Sequence, residues 1–294
     1  MSRNLIARLA VAAIAIPVVL WICYQGGWWF KGMVLVFATL AISEYCIAEG
    51  IGLRKAEFWL TLSFTLYTVT VCSRTLYTKW DWWLANIEAG LGSIFLLCGF
   101  CVFFIVAGLG LAFRREEPRQ LFRRYSRLTW GVIYVGLLYS FVLTIGTNGF
   151  TLFDSVFLPG GDLMLFLFGL LWVGDTAAMW VGKTIGKHKL APTVSPNKTI
   201  EGFVGGILGA VLVGVLMIFW KFSQVPWYHV LTLAVGCSIA GQTGDLVESM
   251  WKRSIGIKDS SAIIPGHGGV LDRFDSLLFA APFMYMYLDF VAGQ

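Results

Sequence analysis

The sequence predicts an all-α, polytopic integral membrane protein of about nine transmembrane helices, with its N-terminus cytoplasmic and its C-terminus outside. Two observations carry this. Of 294 residues, 57% are hydrophobic and 13% charged, against roughly 25% charged in soluble domains, and the mean hydropathy is +0.74. The apolar residues also gather into runs near the ~20 residues that a helix needs to cross hydrocarbon.

The first run, Leu5 to Tyr24, follows Arg3 and contains Arg8. What comes next is Gln25-Gly26-Gly27-Trp28-Trp29, with no small-residue cleavage site, so the run reads as an uncleaved helix and not a signal peptide. The next four are Trp28 to Ala48, Glu57 to Leu76, Gly90 to Phe113 and Leu128 to Gly146. The last four are Leu163 to Val181, Gly202 to Trp220, His229 to Val247 and Asp272 to Ala292. Orientation follows from the basic residues. Of the 22 Lys and Arg, only Lys31, Arg74, Lys79 and Lys221 fall on the side opposite the N-terminus, and an excess of Lys and Arg marks cytoplasmic segments. The net charge of +5 is concentrated on those segments, where it suits anionic headgroups better than nucleic acid. The six cysteines (Cys23, Cys46, Cys72, Cys98, Cys101, Cys237) lie in or at the ends of apolar runs and read as small buried hydrophobes.

Three polar segments stand out, and this topology puts all three on the cytoplasmic side, where they can converge. The sixth run closes on Gly174-Asp175 through Gly182-Lys183, with Asp175, Ala178, Met179 and Gly182 on one helical face. Gly182-Lys183-Thr184 is not a phosphate-binding P-loop, because position 177 is Ala where such a loop needs Gly and no strand precedes it. Before the seventh run, Ser195-Pro196 predicts a helix start with Ser195 as N-cap, and the free N–H groups beside Lys198 would suit an anion. The third segment begins where Asp245, Glu248, Ser249 and Lys252 share one face of the eighth run. It continues through Arg253, Lys258 and the Pro265-Gly266-His267-Gly268-Gly269 loop to Asp272-Arg273-Phe274-Asp275. Its glycines allow a close backbone approach to a ligand. Asp245, Asp272 and Asp275, with Asp175 as a weaker candidate, are read as ligands of Mg²⁺, with a second metal ion left open, because hard cations take oxygen ligands and share them with substrate phosphates.

From Ser249 to Asp275 the chain closely resembles the signature of the CTP:phosphatidate cytidylyltransferases, or CDP-diacylglycerol synthases. Gly174-Asp175 through Gly186-Lys187-His188 and Ser195 through Gly202 resemble the family's other recurrent segments, and the departures are Trp251, Asn197 and Ile200. The resemblance implies transfer of CMP from CTP to phosphatidic acid, giving CDP-diacylglycerol and pyrophosphate. Phosphatidate is already an anionic nucleophile, so charge neutralisation and in-line placement matter more than a strong base. On this reading Asp245, Asp272, Asp275, Lys252 and Arg273 form the catalytic set. Ser249, Arg253, Lys258, Gly268 and Gly269 contact substrate, Ser195 and Lys198 add an anion site, and His267 donates to phosphate or orders its loop.

The chain is expected to be one membrane domain, with residues 1–160 facing lipid, where a homodimer would form, and residues 161–294 catalytic. Its expected place is a bacterial inner membrane, with the site facing the cytoplasm. A CTP-dependent lipid or polyprenol kinase and an archaeal-type lipid cytidylyltransferase are the neighbouring readings. A transporter would instead place its charges near the bilayer midplane in broken helices.

Overall fold

The computed structural model describes residues 3–77, 84–152, 156–264 and 268–292. Its helices are α1 (Arg3–Gln25), α2 (Gly27–Ala48), α3 (Ala56–Tyr77), α4 (Leu84–Ala112), α5 (Pro118–Gly131), α6 (Leu138–Asn148), α7 (Gly160–Thr184), α8 (Ile200–Trp220), α9 (Trp227–Ser254) and α10 (Leu271–Ala292). A π-helical segment, Val132–Leu137, joins α5 to α6 in one continuous helix.

Among the described residues, seven helical stretches are long and apolar enough to cross a membrane, and the fold is an all-α integral membrane protein. The first and third predicted runs are helical as well, as α1 and α3. In α3, Ser and Thr lower the hydropathy; Thr61, Thr68 and Thr70 return their hydroxyls to the carbonyls of Glu57, Phe64 and Leu66, which satisfies them within the helix.

Two short antiparallel hairpins interrupt the helices: β1 (Phe150–Leu152) with β2 (Val156–Leu158), and β3 (Lys189–Ala191) with β4 (Ser195–Thr199). The second corrects the sequence reading of Ser195. That residue pairs with Ala191 in the hairpin and caps nothing. Pairing keeps the chain extended as far as Thr199, so α8 starts later than Ser195-Pro196 suggested. Thr199 is the cap, its hydroxyl accepting from the Gly202 N–H at 3.1 Å. Thr199→Ala should therefore lower stability by about 1 kcal/mol, read as a lower thermal midpoint in detergent. The same change at Ser195 should leave the midpoint unmoved.

Small residues decide how closely the helices approach. On α8, a side chain at Gly202, Gly205 or Gly209 would run into Ala178 O, Val181 or Ala177 of α7. On α9, one at Gly244 would meet the Asp275 carbonyl and Phe279 of α10. These contacts bring Asp175, Asp245 and Asp275, on three different helices, toward one end of the bundle. The C-terminal end of α2 docks on the same region: Tyr45 stacks on Trp251 with ring centroids 5.0 Å apart, and the Trp251 indole N–H donates to Glu49 at 2.7 Å.

Candidate active site

The ends of α7, α8 and α9, with the β3–β4 hairpin, enclose a cleft of about 630 Å³. Asp175, Lys183, Asn197, Lys198, Gln242 and Asp245 supply its polar lining, and Ala178, Met179, Leu190 and Phe203 its apolar wall. Lys198 Nζ lies 2.6 Å from Asp245 Oδ2, both side chains partly exposed. Such a pair contributes only ~0–1 kcal/mol to stability, so its groups can be redirected to a ligand at little cost to the fold. Ser249 donates to Asp245 Oδ1 at 3.3 Å, as their shared helical face predicts. Asp175, Asp245 and Asp275 are close enough to repel one another.

Beside the cleft lies a second, buried cluster. Lys252 Nζ sits 2.7 Å from Asp272 Oδ1 and 3.3 Å from Glu248 Oε2. Glu248 is fully buried, and its side chain adjoins the Asp275 carboxylate. Asp272 Oδ2 accepts from the Ser260 N–H and hydroxyl, both at 2.9 Å, and from the Gly269 N–H at 2.8 Å. Four protein donors thus occupy Asp272, which in this arrangement holds the loop to the start of α10.

The other predicted residues are spread more widely. Arg253 is exposed and donates to the Ile257 carbonyl at 2.8 Å. Lys258 and Arg273 are exposed, with no side-chain hydrogen bond or ion pair among the described residues. Arg273 is near enough to Asp175 to attract it. Ser195 stands on the hairpin and does not line the cleft. His267 lies outside the described residues. Gly268 has φ +81°, which L side chains avoid, and a Cβ on Gly269 would collide with Ser260 Oγ and Glu44 Oε2.

The sequence reading missed Glu44. Its side chain reaches from α2 to the signature loop, taking hydrogen bonds from the Ser261 hydroxyl at 2.7 Å, the Val270 N–H at 2.8 Å, the Leu271 N–H at 2.9 Å and the Ser260 hydroxyl at 3.2 Å. The available signal was a carboxylate inside an apolar run. Gln242 also went unread, and Lys183 figures in the sequence only in a rejected P-loop; the cleft brings both forward.

Among the described residues no three carboxylate, imidazole or thiol groups close into a cation cage. Mg²⁺ seldom uses one, taking one or two carboxylates and completing its shell with water and substrate phosphate. Asp245 and Asp275 fit that donor set, since the carboxylates around them outnumber the lysines.

A bundle of apolar helices with charged groups of both signs at one end defines a membrane-embedded enzyme site, and comparison with known proteins names its class. The chain matches the cytidylyltransferase family over residues 6–291 and belongs to that family. Its relatives include a phosphatidate cytidylyltransferase of Bacillus subtilis, 31% identical over 257 residues, which is 87% of this chain and 77% of that protein. Those of Staphylococcus haemolyticus and Staphylococcus saprophyticus are 45% and 49% identical, over 48% and 44% of this chain. These matches span about half of the staphylococcal proteins, 54% and 50%.

Proposed function

We propose that this protein is a phosphatidate cytidylyltransferase. One phosphate oxygen of phosphatidate attacks the α-phosphorus of CTP, the bond to the β-phosphate breaks, and CDP-diacylglycerol and pyrophosphate leave. The observation that carries the reading is the cleft itself, in which lysines and carboxylates face each other at the end of apolar helices. A lipid phosphate and a nucleotide triphosphate can meet there without the acyl chains leaving the bilayer.

The phosphate nucleophile is ionised, so no side chain has to remove a proton. Lys198 and Lys183 supply positive charge toward the triphosphate, and Asp245 keeps Lys198 pointed across the cleft. Asp245 and Asp275 would hold Mg²⁺, which when bound neutralises charge on the triphosphate. Arg273, close enough to attract Asp175, would meet lipid phosphate. The asymmetry of the basic residues supports a cytoplasmic position for this end of the bundle, where it would meet CTP.

The test is direct. Purified protein in detergent, given labelled CTP, phosphatidic acid and Mg²⁺, should form a CMP-bearing lipid and release pyrophosphate, and excess EDTA should stop it. Transfer of phosphate from CTP to an uncharged lipid alcohol, with CDP released, would move the assignment to a CTP-dependent lipid kinase.

A further inference from the structure

We propose that Glu44, on α2 in the N-terminal half, is a positioning residue of the active site, acting through Ser260 and the start of α10; the proposal rests on the function proposed above. The Glu44 side chain is almost wholly buried, at 1% exposure. No cation pairs with it among the described residues. Its charge is instead met by Ser261 Oγ and Val270 N on Oε1 and by Leu271 N on Oε2, with the Ser260 hydroxyl, also within reach of Asp272, a fourth neighbour of Oε2. The two amides are free N–H groups at the beginning of α10, where the helix dipole also favours an anion.

This anchoring sets the geometry of Asp272. Ser260 Oγ lies 3.2 Å from Glu44 Oε2 and 2.9 Å from Asp272 Oδ2, and has one proton to give. The two carboxylates therefore share a hydroxyl, and each holds amides from the same turn: Gly269 goes to Asp272, Val270 and Leu271 to Glu44. A buried carboxylate is a costly way to join two helices when apolar packing would serve. What only a charged group supplies here is the simultaneous capture of three directional donors and a share in a fourth, the Ser260 hydroxyl, which fixes the loop against α10 and with it Asp272 and Lys252. The N-terminal helices thereby contribute to the chemistry at the C-terminal ones.

The test uses the full-length protein in detergent, with kcat and KM measured separately for CTP and phosphatidate. Gln keeps the size of Glu44 but turns one oxygen into a donor facing other donors. Glu44→Gln should lower kcat about 100-fold, the loss that small misplacement of reacting groups produces. KM for phosphatidate should stay unchanged and the protein should remain folded. Glu44→Asp, which keeps the charge, should recover a large part of the rate. Independently of activity, a reporter Val270→Cys, at a position only 3% exposed, in a background without the native cysteines should label faster when Glu44 is Gln. If Glu44→Gln fails to fold, Ser261→Ala removes a single donor and should give the same signs at smaller size. Wild-type kcat and labelling in Glu44→Gln, or a rate loss matching the unfolded fraction, would overturn the proposal. If the wild type makes no CMP-lipid, the functional reading fails, and the labelling result still decides whether Glu44 holds the loop.

Discussion

Asp245→Asn should reduce CMP-lipid formation by roughly 10²–10³-fold, the scale seen when one preorganised charge-stabilising group is removed from an active site, while the protein folds and melts normally. The small effect on folding follows from exposure: Asp245 pairs with Lys198 where both side chains are partly solvated, and such pairs hold little of the fold together. The large effect on rate follows from position, since Asp245 faces the cleft, aims Lys198 and adjoins Asp275. Lys198→Met separates these roles. If Asp245 only aims Lys198, the two single variants and the double variant should lose the same factor. A deeper loss in Asp245→Asn, with a changed dependence on Mg²⁺ concentration, is the expected result. Full turnover in Asp245→Asn would remove this residue from the site.

The second large effect concerns stability. Lys252→Met should destabilise the protein by about 3–5 kcal/mol, because it strands buried carboxylates, read by thermal or denaturant unfolding in detergent. Glu248 and Asp272 do not suffer equally. Asp272 keeps the Ser260 and Gly269 donors after Lys252 is gone. Glu248 is fully buried against a second carboxylate, Asp275, so that pair is short of positive charge once Lys252 is gone. Adding Glu248→Gln should therefore recover most of the loss, and adding Asp272→Asn little of it. The reverse order would mean that Asp272 carries the uncompensated charge.

Helix positions were legible because span length and apolar runs are dictated by the bilayer; the runs read as Leu163 to Val181 and Asp272 to Ala292 fall within α7 and almost on α10. The shared face of Asp245, Ser249 and Lys252 was legible too, since helical spacing is local. The ion pairs were not. Nothing in the sequence says that Lys198 meets Asp245, or that Asp272 is filled by Ser260 and Gly269, because those pairings depend on how closely α8 and α10 approach α9. Ser195 misled for a related reason: Ser-Pro starts a helix when the chain is free, and here strand pairing with Ala191 holds it extended. Glu44 was hidden by distance along the chain, more than 200 residues from Val270 and Leu271.

The length of α9 has a kinetic consequence. Its 28 residues make about 42 Å of helix at ~1.5 Å per residue, against ~30 Å of hydrocarbon. The surplus of about 12 Å is enough for the last turns, with Glu248, Ser249 and Lys252, to reach the headgroup layer. On the proposed function, phosphatidate would then reach the cleft by lateral diffusion, and product would leave the same way. What saturates such an enzyme is the mole fraction of phosphatidate in the bilayer. Diluting the lipid with neutral phospholipid at constant bulk concentration should slow turnover as surely as withdrawing it, whereas CTP obeys ordinary solution concentration.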